Sequence, residues 1–204
     1  MRTTRVIYIG GTPMVGKSTV ARLLASRLQY ECVSTDDIGA AITAVTELET
    51  HPQFHYMGTE DYRDYYATTD TTKLVRDMDD LHAALWPALR ILFQNHLSWG
   101  SPIVIEGWGL RPRYVSELSG DIGGVFLLAD NALLEERVAA SEFGSGATDR
   151  ESMLANYLER SRLYNAMVQD QVSQLGLASV HVSADMKPDE IADECTRIVS
   201  RGKS

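Results

Sequence analysis

Cysteine is scarce in this chain of 204 residues, which has only Cys32 and Cys195, with no C-x-x-C pair and no histidine at zinc spacing beside them. That excludes a disulfide framework and a structural zinc site, and both thiols are expected to be buried. Basic residues are in deficit too: 19 Lys and Arg stand against 28 Asp and Glu, a formal net charge of −9. A nucleic-acid track needs clustered cations, so nucleic acid is disfavoured as a partner and small substrates fit better. No apolar run approaches the roughly 20 residues that a bilayer requires, so no membrane partner is expected. The N-terminal MRTTRVIYIGG enters a glycine loop after a short apolar run, which fits neither a signal peptide nor a transit peptide. The expectation is a cytoplasmic protein. Internal repeats and low-complexity tails are also missing, so one domain over 1–204 is expected, compatible with a homodimer.

What is present alternates between short apolar runs and helical periodicity. Val6 to Ile9, Cys32 and Val33, Pro102 to Glu106, Gly124 to Leu128 and Ala178 to Val182 read as five strands. Between them, Val20, Leu23, Leu24 and Leu28 mark one helix, and Ile38 to Leu48 another. Leu74 through Leu97 mark a long amphipathic helix with a kink expected at Pro87, because proline removes a backbone donor. His51 to Thr72 reads as an irregular, Tyr-rich cap, so the acceptor-binding insertion is placed at about 50–99. SEFGSGATD, Ser141 to Asp149, reads as the most flexible tract, within a lid at about 137–162. The fold expected is α/β, a doubly wound, five-stranded parallel sheet in the order 2-3-1-4-5. Trp86, Trp99 and the leucine stripe are read as core.

The first βα turn carries the chemistry. GGTPMVGKST contains Gly11, Gly16, Lys17 and Ser18 in the spacing G-x-x-x-x-G-K-[ST], between a predicted strand and a predicted helix. Glycines let backbone N–H groups face an anion, and the helix N-terminus adds partial positive charge. The whole loop, Gly11, Thr12, Pro13, Met14, Val15, Gly16, Lys17, Ser18 and Thr19, is therefore expected to bind ATP. Lys17 supplies a catalytic point charge to the β- and γ-phosphates, and Ser18 ligates Mg²⁺. No N-K-x-D is present to read guanine, and no apolar run ends in the D-E pair that AAA and helicase ATPases use to polarise water. A small-molecule kinase remains.

Candidates for acceptor chemistry follow the second and third strands. Asp36 either handles the acceptor hydroxyl and a metal-bound water, or, with Ser34 and Thr35, competes to cap the next helix. Asp37 is weighed evenly between the same readings. Glu106, after three apolar residues, is placed to hold Mg²⁺ through water, with a surface strand end as the alternative. Arg111 and Arg113 could clamp a phosphate or carboxylate, or be solvated. Arg137, Arg150, Arg160 and Arg162 flank the flexible tract; Arg160 is favoured for the phosphates and Arg137 for the adenine face. Lid arginines in such enzymes contribute on the order of 10³ to 10⁵ in rate. His51 and His55 are disfavoured as a metal pair, since Pro52 lies between them and no third ligand follows.

GGTPMVGKSTVA, VSTDDI, SPIVIEGWGLRP and ERSRLYNAMVQDQVSQLGLASVHVS resemble segments of the 2-phosphoglycerate kinase family and related P-loop kinases, from about Val6 to Val182. That resemblance implies a nucleoside monophosphate kinase-like fold, ATP with Mg²⁺, and transfer to a hydroxyl or phosphate of a small metabolite such as 2-phosphoglycerate. The chain departs from the pattern at Trp108 and Gly109, and His51 to Thr72 has no counterpart in it. A competing class is a nucleotide-binding switch that turns over without an acceptor. A nucleic-acid 5′-hydroxyl kinase is disfavoured by the net charge.

Overall fold

Val6 to Gly11 is buried at every position in the computed structural model, which describes residues 4–58 and 60–201. An apolar strand without polar alternation belongs inside a parallel sheet covered on both faces, and this strand, β1 (Val6–Gly11), is the central one of five. The chain continues through α1 (Lys17–Leu28), β2 (Glu31–Ser34), α2 (Thr35–Val45), a 3-10 turn (Pro52–His55), α3 (Tyr62–Thr68) and α4 (Thr71–Ser98). It then forms β3 (Ile103–Glu106), α5 (Pro112–Val115), β4 (Ile122–Ala129), α6 (Asn131–Ala139), α7 (Arg150–Gln174), β5 (Ser179–Val182) and α8 (Pro188–Arg201). All strands pair in parallel, in the expected order β2-β3-β1-β4-β5. Register aligns the ends that matter: Ile9 of β1 and Ser34 of β2 both lie opposite Glu106 of β3, so the glycine loop, the start of α2 and Glu106 meet at one sheet edge.

Each sheet face has its own core. On one side Ile7, Ile9 and Leu127 pack with Val20 and Leu24 of α1 and with Ile191 and Cys195 of α8. On the other, Tyr8 and Phe126 pack with Leu85, Leu89 and Phe93 of α4 and with Tyr164 and Val168 of α7. Burying a side chain of this size contributes about 1.5–3 kcal/mol. The same contacts clamp α4, which carries His82, and α7, which carries Arg160 and Asn165, against the sheet.

Several expectations need correction. α2 begins three residues earlier than Ile38 and ends at Val45, because the Ser34 hydroxyl accepts from the Asp36 N–H and starts the helix there. His51 to Thr72 is not irregular throughout: the Asp61 side chain caps α3, which buries Tyr65. Cys195 is buried as expected, but Cys32 is exposed, since β2 is an edge strand. Trp99 is 76% exposed rather than core, because it lies past the last turn of α4. That helix continues through Pro87 as one element. Of the domain read over 1–204, residues 1–3, 59 and 202–204 lie outside the described residues.

Candidate active site

The loop between β1 and α1 turns through left-handed backbone at Met14 and at Gly16, where φ is 100°. Gly16 opens α1 without any side-chain cap, so the first turn's N–H groups remain available to an anion. Lys17 is nearly buried and its Nζ donates to the Thr12 carbonyl at 2.8 Å. Burial lowers its pKa to about 8, against the pull of Glu106 and Asp36. The Thr12 hydroxyl donates to Asn165 Oδ1 at 2.7 Å, and Asn165 Nδ2 donates to the Ala129 carbonyl at 2.9 Å, which ties the loop to α7 and to the end of β4. Arg137 lies across the loop, with Nη1 donating to the Met14 carbonyl at 3.1 Å.

At the ends of β2 and β3 stand the two carboxylates. Glu106 is 4% exposed and within electrostatic reach of Lys17. Since Ser34 performs the cap, the Asp36 side chain is released from that duty. Water reaches Asp36, yet crowding raises its pKa, chiefly by desolvation; Lys17 and hydrogen bonds from Thr35 and Trp108 oppose the rise, and Asp37 adds to it. Asp37 sits exposed in the first turn of α2, where a negative charge also favours the helix.

The predicted arginines divide. Arg160 is 2% exposed and faces the rings of Trp108, Tyr157 and Tyr66 at 4.7, 4.9 and 5.4 Å. Its Nε has no hydrogen-bond partner. Arg111 is buried and already engaged: it pairs with Asp79, donates from Nε to His82 Nδ1 at 2.7 Å and lies over Tyr164. Arg113 is exposed and lies on its neighbour Tyr114. Arg162 pairs with Glu135 and Glu159, and Arg150 reaches the Phe143 carbonyl. His51 and His55 bond to Thr50 and Thr46 respectively.

Three participants were given no role from sequence, although Trp108 stood out there as a departure from the family pattern. His82 interrupts the buried stripe of α4 between Met78 and Leu85, and a histidine at a core position was the available signal. Trp108 touches both His82, at 4.5 Å between centroids, and Arg160. Asn165 had no signal, since its partners come from distant segments.

The donor set fits a nucleotide triphosphate: an uncapped helix start, a buried lysine and a guanidinium with an orphaned N–H. Among the described residues no group of three His, Cys, Asp or Glu could by itself enclose a metal ion. Such a set suits Mg²⁺, which takes few protein ligands and completes its shell with phosphate oxygens and water; Ser18, Asp36 and Glu106 are the residues that would hold it. Beside Asp36 a cleft of about 550 Å³ opens between α2, the 3-10 turn and α4.

The AAA domain family matches residues 7–152. The 2-phosphoglycerate kinase of Pyrococcus horikoshii is 24% identical over 163 residues, covering 79% of this chain and 48% of that protein, so the chain spans about half the length of the curated relative it matches. Shikimate kinase from Aquifex aeolicus superposes with a TM-score of 0.58 at 17% identity, covering 97% of this chain and 96% of that one. A gluconokinase from Sinorhizobium meliloti gives 0.55 at 19%, covering 98% and 94%. The likeness to these two structures is one of fold.

Proposed function

This chain belongs to the AAA domain family, and from that premise, with a carboxylate released from helix capping beside its phosphate loop and an open cleft, we propose that it is an ATP-dependent kinase acting on a hydroxyl of a small molecule. The observation that carries the reading is Asp36: beside Lys17, released from capping, with an acceptor's volume in front of it. The names of the related and superposed proteins support it, since all three are kinases of small molecules. β3 ends in Ile105-Glu106-Gly107 rather than in the D-E pair of water-polarising ATPases, which favours an organic acceptor over water.

In this reading the loop amides and Lys17 hold the β- and γ-phosphates, while Arg137 covers the loop on the nucleotide side. Asp36 takes the proton from the acceptor hydroxyl as that oxygen bonds to the transferred phosphorus and the bond to the leaving ADP oxygen breaks. Mg²⁺, when bound, neutralises the β- and γ-oxygens. Arg160 offers its unpaired N–H to the charge on the transferred group, in a site made less polar by three aromatic rings. Residues 50–99 serve as the cap over the acceptor, and 137–162 as the lid.

The test is ADP release with and without added acceptors. Release that depends on an acceptor, and that drops by about 10³ or more in Lys17→Ala with the far-UV spectrum unchanged, is expected. Release indifferent to every acceptor, or full activity in Lys17→Ala, would sink the proposal.

A further inference from the structure

The cleft beside Asp36 is not lined as a site for a compact anion. Its walls are mainly apolar, with Phe54, Leu81, Leu85 and Trp108 among them, and its room comes from small residues of α2. A Cβ added at Gly39 would meet nothing within 4 Å, so this face of α2 is open. Among the described residues that line the cleft there is no Lys or Arg; the single charged side chain is Asp36. The nearby guanidiniums do not line it either. Arg111 is bound to Asp79 and His82, and Arg160 lies against the Trp108 ring. A carboxylate or phosphate lodged there would face the like charge of Asp36 across mainly apolar walls, with no Lys or Arg among the lining residues to pair with it, which is costly.

One wall group does ask for a partner. His82 is 1% exposed, lines the cleft, and accepts at Nδ1 from Arg111 Nε. Because a guanidinium can only donate, the neutral ring must carry its proton on Nε2, and that N–H is buried without a partner among the described residues. Burial first, and then the Arg111 charge, hold the imidazole neutral by pushing its pKa well below the ordinary value.

From this lining we infer that the acceptor is an uncharged, largely apolar alcohol, with a ring or branched hydrocarbon body against Phe54, Leu81, Leu85 and Trp108 and its hydroxyl toward Asp36. The inference rests on the kinase reading above and narrows the sequence expectation, which allowed an anionic acceptor such as 2-phosphoglycerate. Trp108, where the chain departs from the family pattern, belongs to the wall that makes the difference.

The experiment measures ADP release and phosphorylated product for two sets of probes. One set is phenylethane-1,2-diol, cyclohexane-1,2-diol and 4-nitrophenyl β-glucoside; the other is 2-phosphoglycerate, shikimate and gluconate. Each is run with the wild-type chain and with Gly39→Leu, which fills the cleft without straining the helix. Turnover of an uncharged probe is expected, with its KM raised at least about tenfold by Gly39→Leu while ADP affinity changes less than about twofold. Turnover confined to the anions, or an uncharged acceptor whose KM ignores Gly39→Leu, overturns the inference and leaves the kinase reading standing. Acceptor-independent release with both sets, while ADP still binds, overturns the kinase reading and the inference with it.

Discussion

Lys17 and Asp36 are perturbed in the directions that lie closest to neutrality: burial lowers the lysine to about 8 and desolvation raises the carboxyl. Asp36 works as a base only when ionised, so kcat should fall as pH drops, with an acid limb above the ordinary carboxylate value of about 4. Asp36→Asn should lower kcat by about 10²–10⁴-fold, leave ADP affinity nearly unchanged and remove that limb; an unchanged kcat assigns Asp36 no chemical role. Lys17 behaves oppositely. Its depressed pKa means that the ligand-free loop loses its cation as pH rises through about 8, so ATP affinity should decline above that value. Phosphate favours the charged lysine, so calorimetry near pH 8.5 in two buffers of different ionisation enthalpy should detect proton uptake on binding. The phosphate-loop residues were legible because glycine, lysine and serine at fixed spacing act through their own contiguous backbone. The roles of His82 and Trp108 were not, because each depends on contacts with Arg111 or Arg160 from segments distant in the chain.

Among the elements, the junction of β3 and α2 has the least tolerance. Gly107 has a φ of +146°, and a Cβ there would collide with Thr35 Oγ1, next to Asp36. Gly107→Ala should therefore cost about 3 kcal/mol or more and displace the start of α2, measured by thermal unfolding and by a loss of turnover beyond the loss of folded protein. A variant with wild-type Tm and kcat would show that the junction yields freely. The five strands and the helices α1 and α4 were legible from apolar runs and 3.6-residue periodicity. By contrast α3, of seven residues, and α5, of four, are too short to display a period, and their formation depends on caps and on what they pack against. The start of α2 was misplaced because Ser34, Thr35 and Asp36 are all competent caps, and only the hydrogen bond to Ser34 chooses among them.

Across the whole molecule, the segments read as cap and lid are joined. Phe143, in the glycine-rich tract, packs on Tyr62 of α3 and Tyr157 of α7, with ring centroids at 5.8 and 4.4 Å. Asn156 donates to the Tyr66 carbonyl at 2.9 Å, and Tyr66 in turn flanks Arg160. In the proposed kinase an aromatic latch of this kind would couple enclosure of the acceptor to placement of the guanidinium. Phe143→Ala should cost about 1–3 kcal/mol of stability, raise ADP release without acceptor and lower it with acceptor, because a loosened enclosure admits water. Equal loss of both activities would indicate a purely structural ring.

The sequence by itself determined the fold class and the phosphate loop, since each follows from neighbouring residues whose periodicity or spacing specifies a local geometry. The tertiary structure alone decided which carboxylate is released from capping, which arginine is buried among aromatic rings, and what lines the cleft beside Asp36. Asp36, His82, Trp108 and Arg160 come from four separate segments, and a contact between distant segments is set by how the two cores pack against the sheet, a property that no local pattern carries.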